Sequence, residues 1–119
     1  MKQYSLRKFQ TLQKQKEFEA VFKTGQIWEK KNALKAHFKK NGLSFSRFGI
    51  SISKRCGNAV FRNSIKRIVR EWFRMHARAF PYSIDVVFIF NSRIDGYSPD
   101  LIRRGLDEFL EKCRLFLKE

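Results

Sequence analysis

The feature that most constrains the fold is a change of apolar period between residues 48 and 73. Phe48, Ile50 and Ile52 alternate with small residues, which is the two-residue period of a strand with one buried face. From residue 59 onward the apolar side chains recur every three or four positions, as on one side of a helix. The apolar stripe of that helix consists of Phe61, Ile65, Ile68, Val69, Trp72 and Phe73. The sequence therefore predicts a half-buried strand followed closely by an amphipathic helix, with Asn58 as its N-cap.

Two further segments have the period of a helix. The stretch "KQKEFEAVFKTG" places Phe18, Val21 and Phe22 on one side, and Gly25 is expected to take the left-handed conformation that ends the helix. Near the end of the chain, Ser98 and Pro99 stand at the N-cap and first helical positions of another helix. The core side of this last helix is expected to contain Ile102, Leu106, Phe109, Leu110, Cys113 and Leu117.

The remaining segments predict strands. Two strand-like segments flank Asn41-Gly42, a dipeptide that favours a type I′ hairpin. "SIDVVFIF" is a nearly continuous apolar run and predicts a strand covered on both faces. With a short extra strand at residues 27–29, the order is α-β-β-(β)-α-β-α. This order predicts an α+β fold, a two-layer α/β sandwich formed by one domain spanning residues 1–119.

The net charge indicates an anionic partner. Lys and Arg number 26 against 11 Asp and Glu, a formal charge of +15, and so much self-repulsion brings a small fold no structural gain. A nucleic acid is the favoured partner, because many cations can displace its condensed counterions. An anionic membrane surface is the alternative. No apolar run approaches the ~20 residues that span a bilayer, and the N-terminal stretch does not resemble a signal peptide, so we expect a cytoplasmic protein without a membrane partner.

The polar side of the central helix carries cations almost exclusively. These side chains are Asn63, Lys66, Arg67, Arg70, Arg74 and Arg78, with Arg62 at the edge of the apolar stripe. Cations four residues apart repel each other, so a side selected only for solubility would be expected to include more acids than Glu71. A solvated charged side is one interpretation. The other, which we favour, is a surface that contacts successive phosphates.

The residues that protein-based chemistry would need are not clustered in this sequence. The acids are scattered, and His37 and His76 are far apart, so neither a metal-dependent nuclease site nor a histidine pair is indicated. Cys56 and Cys113 have no CxxC partner and are expected to be structural thiols. We therefore expect no catalytic residue and no metal ligand on this chain.

The central motif resembles a known family. "RFGISISKRCGNAVFRNSIKRIVREWFR" is similar to the signature of the bacterial ribonuclease P protein subunit, and both "KQKEFEAVFKTG" and "DVVFIF" fall where that family has its first helix and last strand. Ser64 stands where the family usually has an Arg, and Asn91 stands where the family commonly has an Arg after the last strand, with Arg93 as a candidate substitute. The resemblance implies a mixed sheet with a left-handed βαβ crossover, the ribosomal protein S5 domain 2-like fold.

The resemblance also implies a function. In the family, a catalytic RNA with bound Mg²⁺ removes the 5′ leader of precursor tRNA, and the protein binds both RNAs without itself being catalytic. The residues expected to bind RNA are Lys54, Arg55, Asn58, Arg62, Asn63, Lys66, Arg67, Arg70 and Arg74. Those expected in a cleft for the leader are Phe18, Phe22, Ser51 and Ser53. For Phe18 and Phe22, packing of the first helix against the core is an equal alternative. No organic cofactor and no obligate protein partner are implied. The alternative is a general structured-RNA-binding or ribosome-associated protein of similar fold.

Overall fold

The computed structural model describes residues 11–31, 34–91 and 98–116 of the chain. In chain order its elements are α1 (Gln15–Thr24), β1 (Gln26–Lys30), β2 (Leu34–Lys40), β3 (Arg47–Ile52), α2 (Ala59–His76), β4 (Ile84–Phe90) and α3 (Pro99–Phe116). Single turns of 3₁₀-helix precede and follow α2 at Lys54–Cys56 and Ala77–Ala79. The predicted α+β class is confirmed, and so is the short extra strand, which lies within β1.

The four strands form one mixed sheet in the order β1-β2-β4-β3. The pairs β1/β2 and β2/β4 are antiparallel, whereas β3 and β4 are parallel and are connected through α2. The central position of β4 explains its apolar sequence, because side chains on both of its faces are covered. The prediction of a strand covered on both faces is therefore confirmed.

The hairpin predicted at Asn41-Gly42 is wrong. β4 lies between β2 and β3, so the two strands that flank this dipeptide are not paired with each other. The chain does turn here, since Gly42 has φ +71° and the side-chain oxygen of Asn41 accepts the backbone N–H of Leu43 at 2.8 Å. The local turn signal was correct, but it could not show that the more apolar β4 would lie between β2 and β3.

The main core lies between the sheet and the pair α2 and α3. The predicted stripe of α2 is buried from Ile65 to Phe73, and Phe61 is half-buried. On α3 the predicted core residues are also buried, except that Leu117 lies outside the described residues. Trp72 also connects the two helices, since its indole N–H donates to Asp107 Oδ1 at 2.8 Å.

A smaller core lies on the opposite face of the sheet, beneath α1. Val21 of α1 is completely buried against Leu12 and Val87, with Phe18 and Ile89 partly buried around them. Side chains alternate along β4, so Val87 and Ile89 face α1 while their neighbours face α2 and α3. The two-layer description fits the side with α2 and α3, and α1 adds a small layer on the other side.

The helix ends agree with the sequence at two of three points. Asn58 caps α2 by accepting the Phe61 N–H at 2.9 Å, and the hydroxyl of Ser98 accepts the Leu101 N–H at 3.2 Å at the start of α3. Gly25 was expected to be left-handed, but its φ is −83°. Glycine is required there by space instead, because a Cβ would lie 2.8 Å from a backbone carbonyl oxygen of β2.

Candidate nucleic-acid interface

A hydrogen-bonded turn between β3 and α2 holds the first cations of the motif. The backbone N–H of Ser53 donates to the last carbonyl of β4 at 2.9 Å, and its hydroxyl accepts the Arg55 N–H at 3.1 Å. Gly57 has φ +153°, and a Cβ there would lie 2.7 Å from the Phe61 ring, so both the backbone angle and the space require glycine. Lys54 and Arg55 are therefore exposed on a turn whose backbone is firmly bonded to the sheet.

The polar side of α2 is open. We use the name basic face for the exposed residues Lys54, Arg55, Asn63, Lys66, Arg67 and Arg70. Among the residues that the structure describes, no carboxylate forms an ion pair with any of the five cations in this set. One side of α2 is thus buried, and the other presents uncompensated positive charge.

Three motif residues are engaged by the helix itself. Arg62 is half-buried and donates from Nη1 to the carbonyl of Gly57 at 3.2 Å, while the side chain of Asn58 is used as the N-cap. Ser64 donates its hydroxyl to the Phe61 carbonyl at 2.6 Å. Arg62 and Asn58 therefore hold the start of α2 as well as lying beside the basic face.

Arg74 lies one turn beyond the basic face and has an acidic neighbour. Its Nη2 atom lies 2.8 Å from Glu71 Oε2, and both side chains are in contact with solvent. The hydrogen bond lowers the pKa of Glu71 and raises the pKa of Arg74, so the pair stays ionised at neutral pH. Of the cations predicted to bind RNA, Arg74 is thus the one whose charge is partly compensated within the described part of the chain.

A second candidate surface lies on the face of the sheet that carries α1. The pairing register places Lys35 of β2, Ile89 of β4 and Ser51 of β3 in one row across this face. Ser51 is exposed, and Lys35 and Ile89 are partly exposed, so α1 leaves this row open. The row meets the motif turn through Ser53, two residues beyond Ser51.

The two aromatic residues predicted on this side have different environments. The ring of Phe18 lies on the backbone of Gly49, where a Cβ would come within 2.6 Å of the ring, and it packs in the small core. Phe22 is 43% exposed and meets the His37 ring edge to face, with centroids 5.0 Å apart. We use the name α1-side surface for Phe18, Phe22, Lys35, Ser51 and Ile89.

His37 lies in the floor of the α1-side surface. Its Nδ1 atom is buried and has no hydrogen-bond partner within the described parts of the chain. Burial lowers the pKa of His37, and the nearby Lys35 lowers it further, so the ring is neutral at pH 7. The sequence indicated only that His37 does not pair with His76, and the contact with Phe22 was not foreseen.

Two features of the sheet face that carries α1 were not predicted from the sequence. Lys35 and Ile89 join the α1-side surface only through the strand register, which the incorrect hairpin concealed. Glu17, Arg47 and Asp85 form an ion-pair network that links α1 to the sheet. Alternation along β4 was the available signal for Ile89, but no local pattern connects the three members of the network.

The described residues contain neither a metal-binding cluster nor a membrane-spanning helix. In residues 11–31, 34–91 and 98–116, no three side chains of His, Cys, Asp or Glu come together as a metal site would need. No helix in the same ranges is long and apolar enough to cross a bilayer. Cys56 and Cys113 are both buried, and burial raises the pKa of Cys113 to about 12.

Comparison with known proteins gives a consistent result. The family model described as Ribonuclease P matches residues 6–114. The ribonuclease P protein component of Syntrophus aciditrophicus is 36% identical over 93 residues, covering 75% of this chain and 74% of that protein. The corresponding protein of Brevibacillus brevis is 31% identical over 104 residues, covering 87% of this chain and 82% of its own length.

A solved structure agrees with the sequence relatives. The Staphylococcus aureus RNase P protein, determined at 2.0 Å, superposes with a TM-score of 0.78 at 28% identity. The superposition covers 90% of this chain and 97% of that one. The fold, the motif and the matched length together show that this chain belongs to the bacterial ribonuclease P protein family.

Proposed function

We propose that this chain binds the catalytic RNA of ribonuclease P through its basic face and the 5′ leader of precursor tRNA through its α1-side surface. As a ribonuclease P protein, the chain is a subunit of the endoribonuclease that matures tRNA, an enzyme whose catalyst is RNA. In this proposal the chain acts as one RNA-binding domain in the cytoplasm and supplies affinity and placement rather than a reacting group.

The observation that carries the proposal is the open cationic surface formed by the polar side of α2 and the turn that precedes it. Five cations on the basic face are exposed and lack an acidic partner among the described residues, while the opposite side of the helix is fixed in the core. A rigid helix with this charge can replace the counterions along a folded RNA, which favours binding through released ions. Lys54, Arg55, Lys66, Arg67 and Arg70 are proposed to contact phosphates, and Asn63 is proposed to donate or accept beside them.

The α1-side surface fits a different kind of RNA. A single-stranded leader needs a grip that tolerates many sequences, and an exposed aromatic ring beside a cation provides one, at ~1 to 3 kcal/mol for each stacked base. Phe22 and Lys35, which both neighbour His37, are proposed as that pair, and the short side chain of Ser51 lets a backbone approach the sheet. Phe18 packs on Gly49 one helical turn before Phe22 and so anchors α1 to the sheet, and Ser53 connects the surface to the motif turn.

The metal that we propose for the reaction is Mg²⁺, held by the RNA subunit. The described carboxylates, imidazoles and thiols do not converge on one point, so they do not fit a protein site for the ion. The chain's own contribution is positive charge. By lowering the repulsion between the catalytic RNA and its substrate, that charge would reduce the Mg²⁺ concentration at which the two assemble.

Reconstitution tests this proposal. The chain is combined with the catalytic RNA of its own organism, and affinity for precursor and mature tRNA is measured across a Mg²⁺ titration. We expect the holoenzyme to prefer the precursor and to cleave at lower Mg²⁺ than the RNA alone, and we expect the chain alone to cleave nothing. Equal affinity for the two tRNAs would overturn the leader contact, and cleavage by the protein alone would overturn the division of roles.

A pair of substitutions tests the basic face separately. Arg67→Ala should weaken binding to the catalytic RNA, whereas Arg104→Ala removes the same charge from an exposed position on α3 and should leave binding nearly unchanged. Both variants should melt at the temperature of the unsubstituted chain, because neither side chain is buried. Equal losses from the two would mean that net charge, and not the basic face, governs binding.

A further inference from the structure

We propose that the ion-pair network of Glu17, Arg47 and Asp85 positions α1 and thereby sets the affinity of the α1-side surface for single-stranded RNA. The inference rests on the proposed leader contact and adds to it the residues that hold the contact in place. None of the three is proposed to touch the RNA. Their role would be to fix the helix that carries Phe18 and Phe22.

The network starts from a rigid pair on the sheet. Arg47 and Asp85 are direct neighbours in the parallel pairing of β3 and β4. The guanidinium binds the carboxylate through two parallel bonds, from Nε to Oδ1 at 2.9 Å and from Nη2 to Oδ2 at 2.7 Å. Asp85 is only 6% exposed, and the side chain of Asn41 donates to its Oδ1 atom at 2.9 Å. The plane of the guanidinium is therefore fixed by buried partners.

The remaining nitrogen of that guanidinium reaches α1. Arg47 Nη1 donates to Glu17 Oε2 at 2.8 Å, and the other carboxylate oxygen of Glu17 accepts the backbone N–H groups of Gln13 and Lys14 at 2.8 and 2.9 Å. Glu17 thus caps the N-terminus of α1 with one oxygen and joins it to the sheet with the other. Both oxygens are bonded, so the side chain has little freedom.

The helix needs such a link because its apolar contact is small. The buried core beneath α1 contains Leu12, Val21 and Val87, whereas α2 and α3 enclose most of the buried side chains of the described chain. With so little apolar area, burial alone holds the tilt of α1 weakly, and a charge-assisted link at one end has a large influence. Phe18 follows Glu17 directly, so a shift at Glu17 moves the ring that lies on Gly49.

Glu17→Gln isolates the proposed role. The amide keeps an oxygen that can accept the two backbone N–H groups, but its NH₂ group cannot accept from Arg47. Glu19→Gln is the matched control, because it makes the same chemical and charge change at an exposed position of the same helix, where Glu19 bonds only to Gln15 among the described residues. Any effect specific to Glu17→Gln then reflects the link to the sheet.

The experiment measures the ratio of precursor to mature tRNA affinity in the reconstituted holoenzyme, together with affinity for the catalytic RNA alone and hydrogen exchange of the α1 amides. If the correctly placed α1 falls to a tenth of the population, the ratio should fall about tenfold. We expect this loss and faster exchange in α1 for Glu17→Gln, with unchanged affinity for the catalytic RNA. Glu19→Gln should match the unsubstituted chain in all three measurements.

Three results would overturn the inference, and they can be told apart. A normal ratio in Glu17→Gln would refute it while leaving the leader contact intact. A loss of affinity for the catalytic RNA equal to the loss for the precursor would show that the network only stabilises the fold. A holoenzyme of the unsubstituted chain that does not distinguish precursor from mature tRNA would overturn the leader contact, and this inference with it.

Discussion

Arg70 and Arg74 provide a matched test of how charge on α2 contributes to RNA binding. They lie four residues apart on the same side of one helix, so removing either guanidinium changes the net charge equally. Arg70 is exposed and has no acidic partner among the described residues, whereas Arg74 bonds to Glu71 at 2.8 Å. A phosphate that approaches Arg74 must therefore compete with a carboxylate that is already in place.

The magnitude follows from counterion release. Each phosphate neutralised by a cation releases close to one counterion. The salt slope, meaning here the magnitude of the slope of log affinity against log salt, should therefore fall by about one in Arg70→Ala. Arg74→Ala should lower the slope by clearly less than one, because Glu71 already compensates that charge. For a fourfold rise in salt, each unit of slope corresponds to a roughly fourfold change in affinity. Glu71→Gln should raise the slope, because it removes the carboxylate that partly compensates the charge of Arg74.

The assay is a salt titration of binding to the catalytic RNA, with melting temperatures measured on the same samples. Arg104→Ala on α3 serves as the control for net charge and should keep the slope of the unsubstituted chain. Equal slopes for Arg70→Ala and Arg74→Ala, together with an unchanged slope for Glu71→Gln, would show that the ion pair does not modulate binding. The reasoning from charge compensation would then be refuted.

Three further outcomes concern the fold. Ile65→Ala removes a completely buried side chain of α2 and should cost ~2 to 5 kcal/mol in the free energy of unfolding, measured by urea titration, while a cost below ~1 kcal/mol would contradict the packing described. Backbone hydrogen bonds from Lys14 and Gln13, and then Arg47, lower the pKa of Glu17. Its contribution to stability is therefore present above about pH 4.3 and is lost as the pH falls through the lowered pKa. When urea midpoints are compared, the stability of Glu17→Gln should fall less on acidification than that of the unsubstituted chain. Burial raises the pKa of Cys113 to about 12. At pH 8 a thiol reagent should therefore label this residue only as fast as the protein opens. Labelling at the rate of an exposed thiol would place Cys113 at the surface.

The helices could be predicted from the sequence because their signals are local. A stripe at helical spacing identifies the core side of α2 wherever the rest of the chain lies, and Asn58 and Ser98 cap helices through bonds to residues three positions away. The cations on the polar side of α2 are also close together in the sequence, so this side of the helix can be recognised without knowing the rest of the fold. For these reasons the basic face can be predicted from the sequence alone, although its contacts with RNA stay a prediction.

The α1-side surface was only partly predictable, because it depends on which strands are neighbours. Asn41-Gly42 indicates a turn, yet nothing in the dipeptide shows that β4 will enter between β2 and β3. The network has the same difficulty, since Glu17 and Arg47 are 30 positions apart and Arg47 and Asp85 are 38 positions apart. Phe18 and Phe22 looked equivalent by spacing, but only the fold shows that Phe22 is the exposed ring.

The placement of α1 and α2 on opposite faces of one sheet has a consequence for how the molecule tolerates change. β4 is shared by both cores, with Val87 and Ile89 pointing one way and Val86 and Phe88 the other, so a single layer of backbone separates the two outer surfaces. Substitutions on the two exteriors should combine additively unless they alter β4 itself. In the function proposed above, a substitution could therefore change the contact with one RNA without changing the contact with the other.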